Sequence, residues 1–408
     1  MSASPKLPPF DPADPLGLDD LLDPEDLAIR DTVRTWAADR VLPYVAEWYE
    51  KGELPGIREL ARELGGIGAL GMSLEGYGCA GATAVQYGLA CLELEAADSG
   101  IRSLVSVQGS LAMYAIHRFG SEEQKQAWLP RMAAGEVIGC FGLTEPDHGS
   151  DPGAMRTYAK RDGGGTSRSS GAESGGDWVL NGRKMWITNG SVAGVAVVWA
   201  QSEDGIRGFV VPTDAPGFSA PEIKHKWSLR ASVTSELVLD DVRLPADAVL
   251  PDVTGLKGPL SCLSHARYGI VWGSMGAARA SFEAAVEYAK TREQFGRPIG
   301  GFQLTQAKLA DMAVELHKGI LLAHHLGRRM DAGRLRPEQI SFGKLNNVRE
   351  AIEICRTART ILGANGISLE YPVMRHATNL ESVLTYEGTV EMHQLVLGKA
   401  LTGLDAFR

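Results

Sequence analysis

The chain of 408 residues is long enough for two or three domains of about 100–200 residues each. Its formal net charge of −9, without a stripe of basic residues, excludes a nucleic-acid-binding protein and a polybasic membrane-surface protein. The five scattered cysteines lack a Cys-x-x-Cys pair and the nine histidines lack ligand spacing, so we expect reduced thiols and no metal site.

The N-terminal residues 1–15 are rich in proline and aspartate. They contain no apolar segment of a secretion signal, and they lack the Arg-rich, acid-poor character of an organellar presequence. No apolar run in the sequence reaches the roughly 20 residues that span a bilayer. We therefore expect a soluble, cytoplasmic protein without a membrane partner.

Residues 24–134 are predicted to be helical. Asp23 can N-cap a first helix with Pro24 at its opening position. Ser121 and Gln124 have the spacing of a capping box at the start of a later helix. Pro130 then predicts a stop or a kink near the end of that helix.

One motif in this part has a misleading pattern. Gly66–Gly71 has the glycine spacing of a dinucleotide-binding loop, which needs a strand before it and a helix after it. The preceding segment Ile57–Leu64 has helical character. We therefore reject a nicotinamide-binding site and interpret these glycines as allowing close packing.

The following part is rich in short β-branched and aromatic runs. Asn181-Gly182, between two of them, predicts a β-hairpin. The Gly/Ser-rich segment Arg161–Gly176 is interpreted as a mobile surface loop without chemistry. The predicted strands include Phe141–Leu143, Trp178–Leu180, Lys184–Thr188, Val195–Trp199, Gly208–Val211 and Leu237–Leu239.

From about Leu260 the apolar residues recur with a helical period, and short polar links such as Asp331–Pro337 indicate antiparallel helices in a bundle. The predicted fold class is therefore α+β, with three parts at residues 1–137, 138–255 and 256–408. The apolar faces comprise Val271, Met275, Phe282 and Val286, then Leu309, Met312, Leu316 and Ile320, and then Leu345, Val348, Ile352 and Cys355.

The strongest candidate for a catalytic base is Glu387, in the segment Thr385–Thr389. It lies between the phenol of Tyr386 and a glycine, directly after an apolar pair. Removal of water from such a carboxylate raises its pKa toward the range of a general base or acid. The alternative, a glutamate on a solvated surface, is more common for this residue type.

Three further segments have a chemical and a structural interpretation each. Phe141–Asp151 leads from a strand into a polar loop that could hold a flat heterocycle or a phosphate, or could form an ordinary turn. Trp186–Gly190 offers an aromatic wall beside a hydroxyl, or a core tryptophan. Arg292 in Thr291–Gly296 can reach a pyrophosphate, or can face solvent at a helix end.

In order and spacing, these segments resemble the flavin-dependent acyl-CoA dehydrogenases, and within them the glutaryl-CoA dehydrogenase branch, from about Asp19 to Phe407. The general family motifs are matched by Phe141–Asp151, Trp186–Gly190, Thr291–Gly296, Leu362–Ile367 and Tyr386–Thr389. The motifs of the branch are matched by Glu75–Ala80, Asp98–Ser103, Trp227–Ser232, Ala266–Ile270 and Thr385–Glu387.

This resemblance implies a homotetramer with the acyl-CoA dehydrogenase fold: an all-α N-terminal domain, a middle β-barrel or sandwich domain and a C-terminal four-helix bundle. It also implies FAD as the cofactor, held partly by a neighbouring subunit through Arg292, Gln303 and Leu362–Ala364. The implied FAD-binding residues are Phe141, Leu143, Thr144, Gly149, Ser150, Trp186, Ile187, Thr188, Arg292, Phe295, Gln303, Leu362, Gly363, Ala364, Thr389 and Phe407.

For the substrate, the resemblance implies that Glu387 takes the α-proton of an acyl-CoA thioester while the β-hydride passes to the flavin. The Glu387 N–H and a flavin ribityl hydroxyl would hold the thioester oxygen. The other implied substrate-binding residues are Arg102, Ser103, Glu95, Ser150, Leu260, Cys262, Arg267, Tyr386 and Gly388.

Arg102 bears on which acyl chain is used. A buried arginine needs a counter-anion, which a dicarboxylic acyl chain supplies and a fatty acyl chain does not. Pairing with Glu95 or Asp98 at a helix end explains the arginine equally well from the residues alone. The resemblance favours the pocket, with Glu95 behind Arg102.

The implied reaction is oxidation of glutaryl-CoA to glutaconyl-CoA and its decarboxylation to crotonyl-CoA and CO2, with electrons passed to an electron-transfer flavoprotein. Lysine and tryptophan breakdown would use it. The alternatives are a dehydrogenase for another short or dicarboxylic acyl-CoA, a non-decarboxylating enzyme, an oxidase, or a non-catalytic scaffold. The sequence departs from the branch at Ile101, Ser264-His265 and Ala364.

Overall fold

The computed structural model of the chain describes residues 10–162 and 176–406. Most of the predicted surface loop Arg161–Gly176 lies outside the described residues, and so does Phe407.

The N-terminal part is helical, as predicted. The Asp23 side chain accepts hydrogen bonds from two backbone N–H groups of the first turn, with Pro24 at the opening position. The Ser121–Gln124 capping box is also present. Pro130 does not stop its helix, which extends to Ala133 because the last turn buries apolar side chains. The helices are α1 (Pro24–Arg40), α2 (Val45–Lys51), α3 (Ile57–Gly66), α4 (Ala84–Ala97), α5 (Ser99–Ser106), a π-helical segment (Val107–Met113), α6 (Tyr114–Phe119) and α7 (Glu122–Ala133).

The middle part is a seven-stranded mixed sheet with the order β1-β4-β2-β3-β7-β6, in which β5 pairs with β4. The β1–β4 pair is parallel, whereas β3–β7 and β4–β5 are antiparallel. The strands are β1 (Gly139–Gly142), β2 (Tyr158–Arg161), β3 (Trp178–Thr188), β4 (Val195–Ser202), β5 (Gly205–Pro212), β6 (Phe218–Ser219) and β7 (Thr234–Leu244).

The predicted hairpin at Asn181-Gly182 is wrong, because β3 continues through both residues. The pair lies at a β-bulge, where the register with β7 shifts between Leu180 and Gly182. The Asn181 amide donates to the Asp241 carboxylate (2.9 Å) and accepts from the Asp241 N–H (2.9 Å), which holds the bulge against β7. A side chain–backbone pairing across strands therefore replaces the local turn.

The C-terminal part contains the predicted long helices. The link from Asp331 to Pro337 joins two of them as expected. Phe295 and Gly296 have φ values of 55° and 78° and form the two-residue turn of a small hairpin. The elements are α8 (Lys257–Thr291), β8 (Glu293–Gln294), β9 (Arg297–Pro298), α9 (Gln303–Asp331), α10 (Pro337–Leu362), α11 (Val373–Thr385) and α12 (Val390–Thr402).

The three parts share their apolar cores, which supports the α+β architecture. One core joins α1 and α4 to the C-terminal helices, with Tyr268 and Trp272 of α8 fully buried within it. A second core packs the π-helical segment and α7 on the sheet. In the described part of the chain, none of the helices combines the length and apolar character needed to cross a membrane.

Candidate active site

Glu387 lies in the short turn between α11 and α12. Its φ of 52° and the φ of 98° at Gly388 place both residues in the left-handed region. A Cβ atom on Gly388 would lie 2.9 Å from His393 Nε2, so only glycine fits there. Thr389 ends the turn by accepting a hydrogen bond from the Met392 N–H (3.3 Å) and capping α12.

Two cations hold this turn through its backbone. Lys344 Nζ of α10 donates to the carbonyls of Tyr386 (2.7 Å) and Gly388 (2.6 Å). Arg267 Nε of α8 donates to the carbonyl between them, that of Glu387 (2.6 Å). Three successive carbonyls are thus bound by positive charges. Charge-assisted bonds are stronger than neutral ones, which stabilises the left-handed backbone.

The carboxylate of Glu387 lies in the protein interior among positive charges. Its Oε2 atom is buried and has no hydrogen-bond partner among the described residues. Burial raises the pKa of this carboxyl, and the positive charges of Arg102, Lys344 and Arg267 offset the rise only in part. Burial likewise lowers the pKa of Lys344 to about 7, against the favourable field of Glu387.

Arg102 of α5 is fully buried and contacts both a carboxylate and a phenol. Its Nε donates to Glu95 Oε2 (2.7 Å), and Glu95 Oε1 accepts from the Ser99 hydroxyl (2.8 Å). Its Nη2 donates to the phenol oxygen of Tyr386, the residue before the candidate base. Asp98, the other partner considered from the sequence, pairs with Arg375 instead. These contacts use two of the five N–H donors of the guanidinium.

The first group of predicted flavin-binding residues meets at one edge of the sheet. The Met185 N–H donates to the Thr144 carbonyl (2.8 Å), which brings the loop after β1 beside Trp186. Trp186 has a φ of 62° at a register shift of β3, and the residue is 59% exposed. Phe141, Leu143 and Ile187 are buried beneath, Thr144 and Thr188 are half-buried, and Gly149 and Ser150 are exposed.

A buried ion pair joins β3 to the loop after β1 at this edge. Lys184 Nζ, which is fully buried, donates to the Leu143 carbonyl (3.1 Å) and to Glu145 Oε1 (2.8 Å). Glu145 also accepts from the N–H groups of Arg156 (2.6 Å) and Thr157 (2.9 Å). Burial raises the pKa of Glu145, but these hydrogen bonds outweigh it and lower the pKa to about 2. Neither member of this pair was predicted from the sequence as a site residue.

The second group of predicted flavin-binding residues lies at an exposed end of the C-terminal bundle. Arg292 ends α8, Phe295 is 94% exposed and Gln303 begins α9. The turn after α10 reaches the same end, because the Asn365 amide donates to the Tyr288 hydroxyl (3.1 Å) near the end of α8. In that turn Leu362 is buried, whereas Gly363 and Ala364 are exposed.

The predicted substrate-binding residues are only partly brought together. Ser103 and Arg102 are buried together on α5, and Arg267 and Gly388 adjoin Glu387. Leu260 is 40% exposed on α8, whereas Cys262 is fully buried in the core against the sheet and does not share its surface. An open cavity of about 570 Å³ adjoins this end of α8; the side chains of Tyr114, Arg118, Phe119, Lys257 and Ser261 contribute to its lining.

His265 packs as a structural side chain. Its ring stacks on Tyr114 (4.7 Å between centroids) and Tyr87 (6.1 Å), and its Nε2 lies 2.9 Å from the Ser73 hydroxyl oxygen. Burial lowers its pKa to about 4, so it is neutral near pH 7. The departure from the family pattern at this position is therefore accommodated between two tyrosines.

Lys344 is a site residue that was not predicted from the sequence. A signal was available, because Ile340, Val348 and Ala351 share its face of α10 and are buried with it. A lysine on an apolar stripe at helical spacing indicates a buried charge with a special partner. His393 and Ser341, 3.0 Å apart behind the turn, were missed as well. Among the described residues, no group of three or more His, Cys, Asp or Glu is arranged to hold a metal ion.

Comparisons with known proteins bear on this arrangement. Family models described as the N-terminal, middle and C-terminal domains of acyl-CoA dehydrogenase match residues 23–136, 140–242 and 254–402. A solved glutaryl-CoA dehydrogenase from Mycobacterium smegmatis is 68% identical, with a TM-score of 0.93 over 97% of this chain and 99% of that chain.

Two further relatives are similar over most of their length. A structure of a glutaryl-CoA dehydrogenase from Mycobacterium smegmatis in complex with FADH2 is 62% identical, with a TM-score of 0.93 over 98% of this chain and 100% of that chain. The mitochondrial short-chain specific acyl-CoA dehydrogenase of Homo sapiens is 36% identical over 307 residues, which are 74% of this chain and 71% of that protein.

Proposed function

The chain belongs to the acyl-CoA dehydrogenase family, and we propose that within this family it converts glutaryl-CoA to crotonyl-CoA and CO2. The family makes it an FAD-dependent enzyme that oxidises a CH–CH bond of an acyl-CoA. The observation that carries the choice of substrate is the buried Arg102 guanidinium, which is linked to the candidate base through Tyr386.

The sheet edge fits a flavin. An aromatic side chain and half-buried hydroxyls lie together there: Trp186 is largely exposed, and the Thr144 carbonyl accepts a hydrogen bond from the Met185 N–H of β3. When bound, FAD accepts the β-hydride of the acyl chain. We propose that Thr144, Trp186 and Thr188 hold the flavin. Arg292 and the turn at Gly363 would reach it from a neighbouring subunit of a homotetramer, and the domains would span residues 1–137, 138–255 and 256–408.

Glu387 would remove the α-proton of the thioester. Its Oε2, which is buried and has no hydrogen-bond partner among the described residues, suits a proton acceptor, because burial raises the pKa of this carboxyl and nearby cations offset the rise only in part. The Glu387 N–H has no hydrogen-bond acceptor among the described residues. It would donate to the thioester oxygen, where negative charge develops as the proton leaves.

Arg102 would bind the distal carboxylate of the glutaryl chain. Three conditions support this role: the guanidinium is buried, it is fixed by Glu95, and part of its donor set is unused by the contacts described above. A carboxylate accepts a bidentate pair from such a guanidinium. An acyl chain that ends in a methyl group would leave those donors unpaired in a dry pocket, which is costly.

After oxidation, the distal carboxylate of glutaconyl-CoA would leave as CO2, and its bonding electrons would form a dienolate conjugated with the thioester. The proton held by Glu387 would then pass to the carbon that lost CO2. Tyr386 lies between the two groups that take part, since its hydroxyl accepts from Arg102 and its residue adjoins Glu387. The electrons would leave through an electron-transfer flavoprotein.

The test is anaerobic mixing of the flavin-loaded enzyme with glutaryl-CoA, followed by absorbance of the flavin and identification of the acyl product. Pentanoyl-CoA is the matched control, because it has the same chain length and a methyl group in place of the carboxylate. Flavin bleaching with formation of crotonyl-CoA and CO2 supports the proposal. Bleaching with retained carboxylate would indicate a non-decarboxylating enzyme, and preference for pentanoyl-CoA would assign Arg102 to structure alone.

The second candidate is an enzyme for short unbranched acyl-CoA. It is favoured by the 36% identity to the human short-chain specific enzyme and by the pairing of Arg102 with Glu95, which already neutralises the arginine. The same experiment separates the candidates, because this enzyme would oxidise pentanoyl-CoA faster than glutaryl-CoA.

A further inference from the structure

Lys344 is buried, and within the described ranges no carboxylate is its direct partner. The residue is 2% exposed, and the acceptors of its ammonium are the backbone carbonyls of Tyr386 and Gly388. Burial of a lysine charge is costly, so such a residue persists where its charge is used. The two acceptors flank Glu387, whose own carbonyl is taken by Arg267.

The bond to Tyr386 acts on the peptide group that carries the Glu387 N–H. A peptide C=O and the following N–H belong to one planar, conjugated unit. A cation at the oxygen draws electron density from the nitrogen and makes the N–H a stronger donor, as in cooperative hydrogen-bond chains. The Glu387 N–H itself has no acceptor within the described part of the chain, so this gain is available to a ligand.

We propose that Lys344 is a positioning residue that strengthens the Glu387 N–H as the donor to the substrate's thioester oxygen. The inference rests on the proposed function, in which this N–H meets the developing negative charge. It goes beyond that function because it assigns Lys344 an effect through the peptide bond, which the proposed function does not include. The bond to Gly388 keeps the left-handed turn in place, so the N–H and the carboxylate keep their relative positions.

The alternative is a purely structural clamp, and the chain offers a matched control for it. Lys226 Nζ also donates to two loop carbonyls, those of Leu229 (2.9 Å) and Ser232 (2.7 Å), and to the Thr234 hydroxyl (2.8 Å). Burial lowers its pKa to about 8. The carbonyls that it binds belong to a different loop from the base, so Lys226→Met reports the cost of losing such a clamp alone.

The experiment compares Lys344→Met, Lys344→Gln and Lys344→Arg with Lys226→Met in the flavin-loaded enzyme. The probe is a glutaryl-CoA analogue with sulfur in place of the β-methylene, which can lose its α-proton but has no β-hydride to transfer. Its bound enolate gives a long-wavelength charge-transfer absorbance with oxidised flavin. Titration of this band with pH measures the acidity of the bound α-proton separately from turnover.

We expect Lys344→Met to raise the pKa of the bound analogue by about one to two units and to lower kcat about tenfold to a hundredfold, with a smaller change in KM. Lys344→Gln, which keeps a neutral donor, should lie between Lys344→Met and wild type, and Lys344→Arg should recover most of the acidity. Lys226→Met should leave the analogue's pKa unchanged.

An unchanged analogue pKa in Lys344→Gln or Lys344→Met would overturn the inference, and so would an equal shift in Lys226→Met. If Lys344→Met does not retain flavin, the Gln and Arg variants decide. A wrong substrate assignment gives a different result, because wild-type enzyme would then not bind the glutaryl analogue. The Lys344 variants would in that case be measured with the β-thia analogue of the acyl chain that the wild-type enzyme prefers.

Discussion

Removal of Arg102 is expected to change the preference of the enzyme between glutaryl-CoA and pentanoyl-CoA. Arg102→Met alone would leave Glu95, which is fully buried, with the Ser99 hydroxyl as its remaining side-chain partner among the described residues. An unpaired buried charge of this kind costs about 3–5 kcal/mol of stability. The double variant Arg102→Met/Glu95→Gln removes both charges, so it is expected to recover most of that loss and to be the variant suited to kinetics.

The lost interaction with the substrate can be estimated separately. Hydrogen bonds to a charged partner contribute about 1.5–3 kcal/mol, which corresponds to a loss of about tenfold to 150-fold in kcat/KM for glutaryl-CoA. The kcat/KM for pentanoyl-CoA should stay level or rise, because its methyl end no longer meets an arginine. The assay is steady-state turnover of both substrates with an artificial electron acceptor, and the informative quantity is the ratio of the two kcat/KM values.

Arg279→Met is the matched control for the loss of a buried ion pair. It removes one of two arginines from the buried Glu93, which keeps Arg34 as a partner. The substrate ratio should stay at the wild-type value in this variant. If the double variant at Arg102 and Glu95 also keeps the wild-type ratio of the two kcat/KM values, Arg102 does not bind the substrate carboxylate and the proposed substrate is wrong.

Four further outcomes are expected. Glu387→Gln should bind FAD and acyl-CoA but slow flavin bleaching at least about 100-fold, because an amide does not accept the α-proton; normal bleaching in stopped-flow absorbance would contradict this role. The wild-type bleaching rate should rise with pH through a pKa above the ordinary value of about 4.3, because burial raises the pKa of Glu387 and the base must be ionised. Lys344→Met should move this rise in the bleaching rate to higher pH, because it removes a cation that favours the ionised carboxylate of Glu387. A rise at the wild-type pH would contradict this effect of Lys344 on Glu387. Gly182→Ala should lower the free energy of unfolding by about 1–3 kcal/mol, because φ is +145° and a Cβ would lie 2.5 Å from Thr157 Oγ1; Gly66→Ala, with no atom within 4 Å, is the control, and equal denaturant midpoints for the two variants would contradict the strain.

Local chemistry made much of the fold predictable. The caps at Asp23 and Ser121 depend on hydrogen bonds within one turn, so the sequence contained all the information that they need. The hairpin predicted at Asn181-Gly182 was wrong because the conformation there depends on a contact that is distant in sequence. That contact is with Asp241, about sixty residues away, and a local turn signal cannot represent it.

The site residues likewise fall into those that a local motif predicts and those that depend on distant contacts. Glu387 and Arg102 could be proposed because each lies in a motif of adjacent residues. The contact from Lys344 to the turn joins residues far apart in sequence and depends on how α10 packs against α11 and α12. A buried lysine can be distinguished from an exposed one in the sequence only by its position on the apolar face of its helix. Lys344 has such a position, because Ile340 and Val348 lie on the same face and are buried.

Tyr386 contacts both Arg102 and Lys344, which lie at the two ends of the proposed substrate site. Its hydroxyl accepts from Arg102, which would bind the distal carboxylate, and its carbonyl accepts from Lys344, next to the thioester end. The field of Arg102 lowers the pKa of Glu387, against the larger effect of burial. A substrate carboxylate paired with Arg102 would cancel much of that field, so Glu387 would be the stronger base while the carboxylate is present. Departure of the carboxylate as neutral CO2 would restore the field and lower the pKa of the protonated Glu387. The group that took the α-proton would thereby become a better acid at the step where the product needs a proton, and the order of the two steps would follow from the charge of the substrate itself.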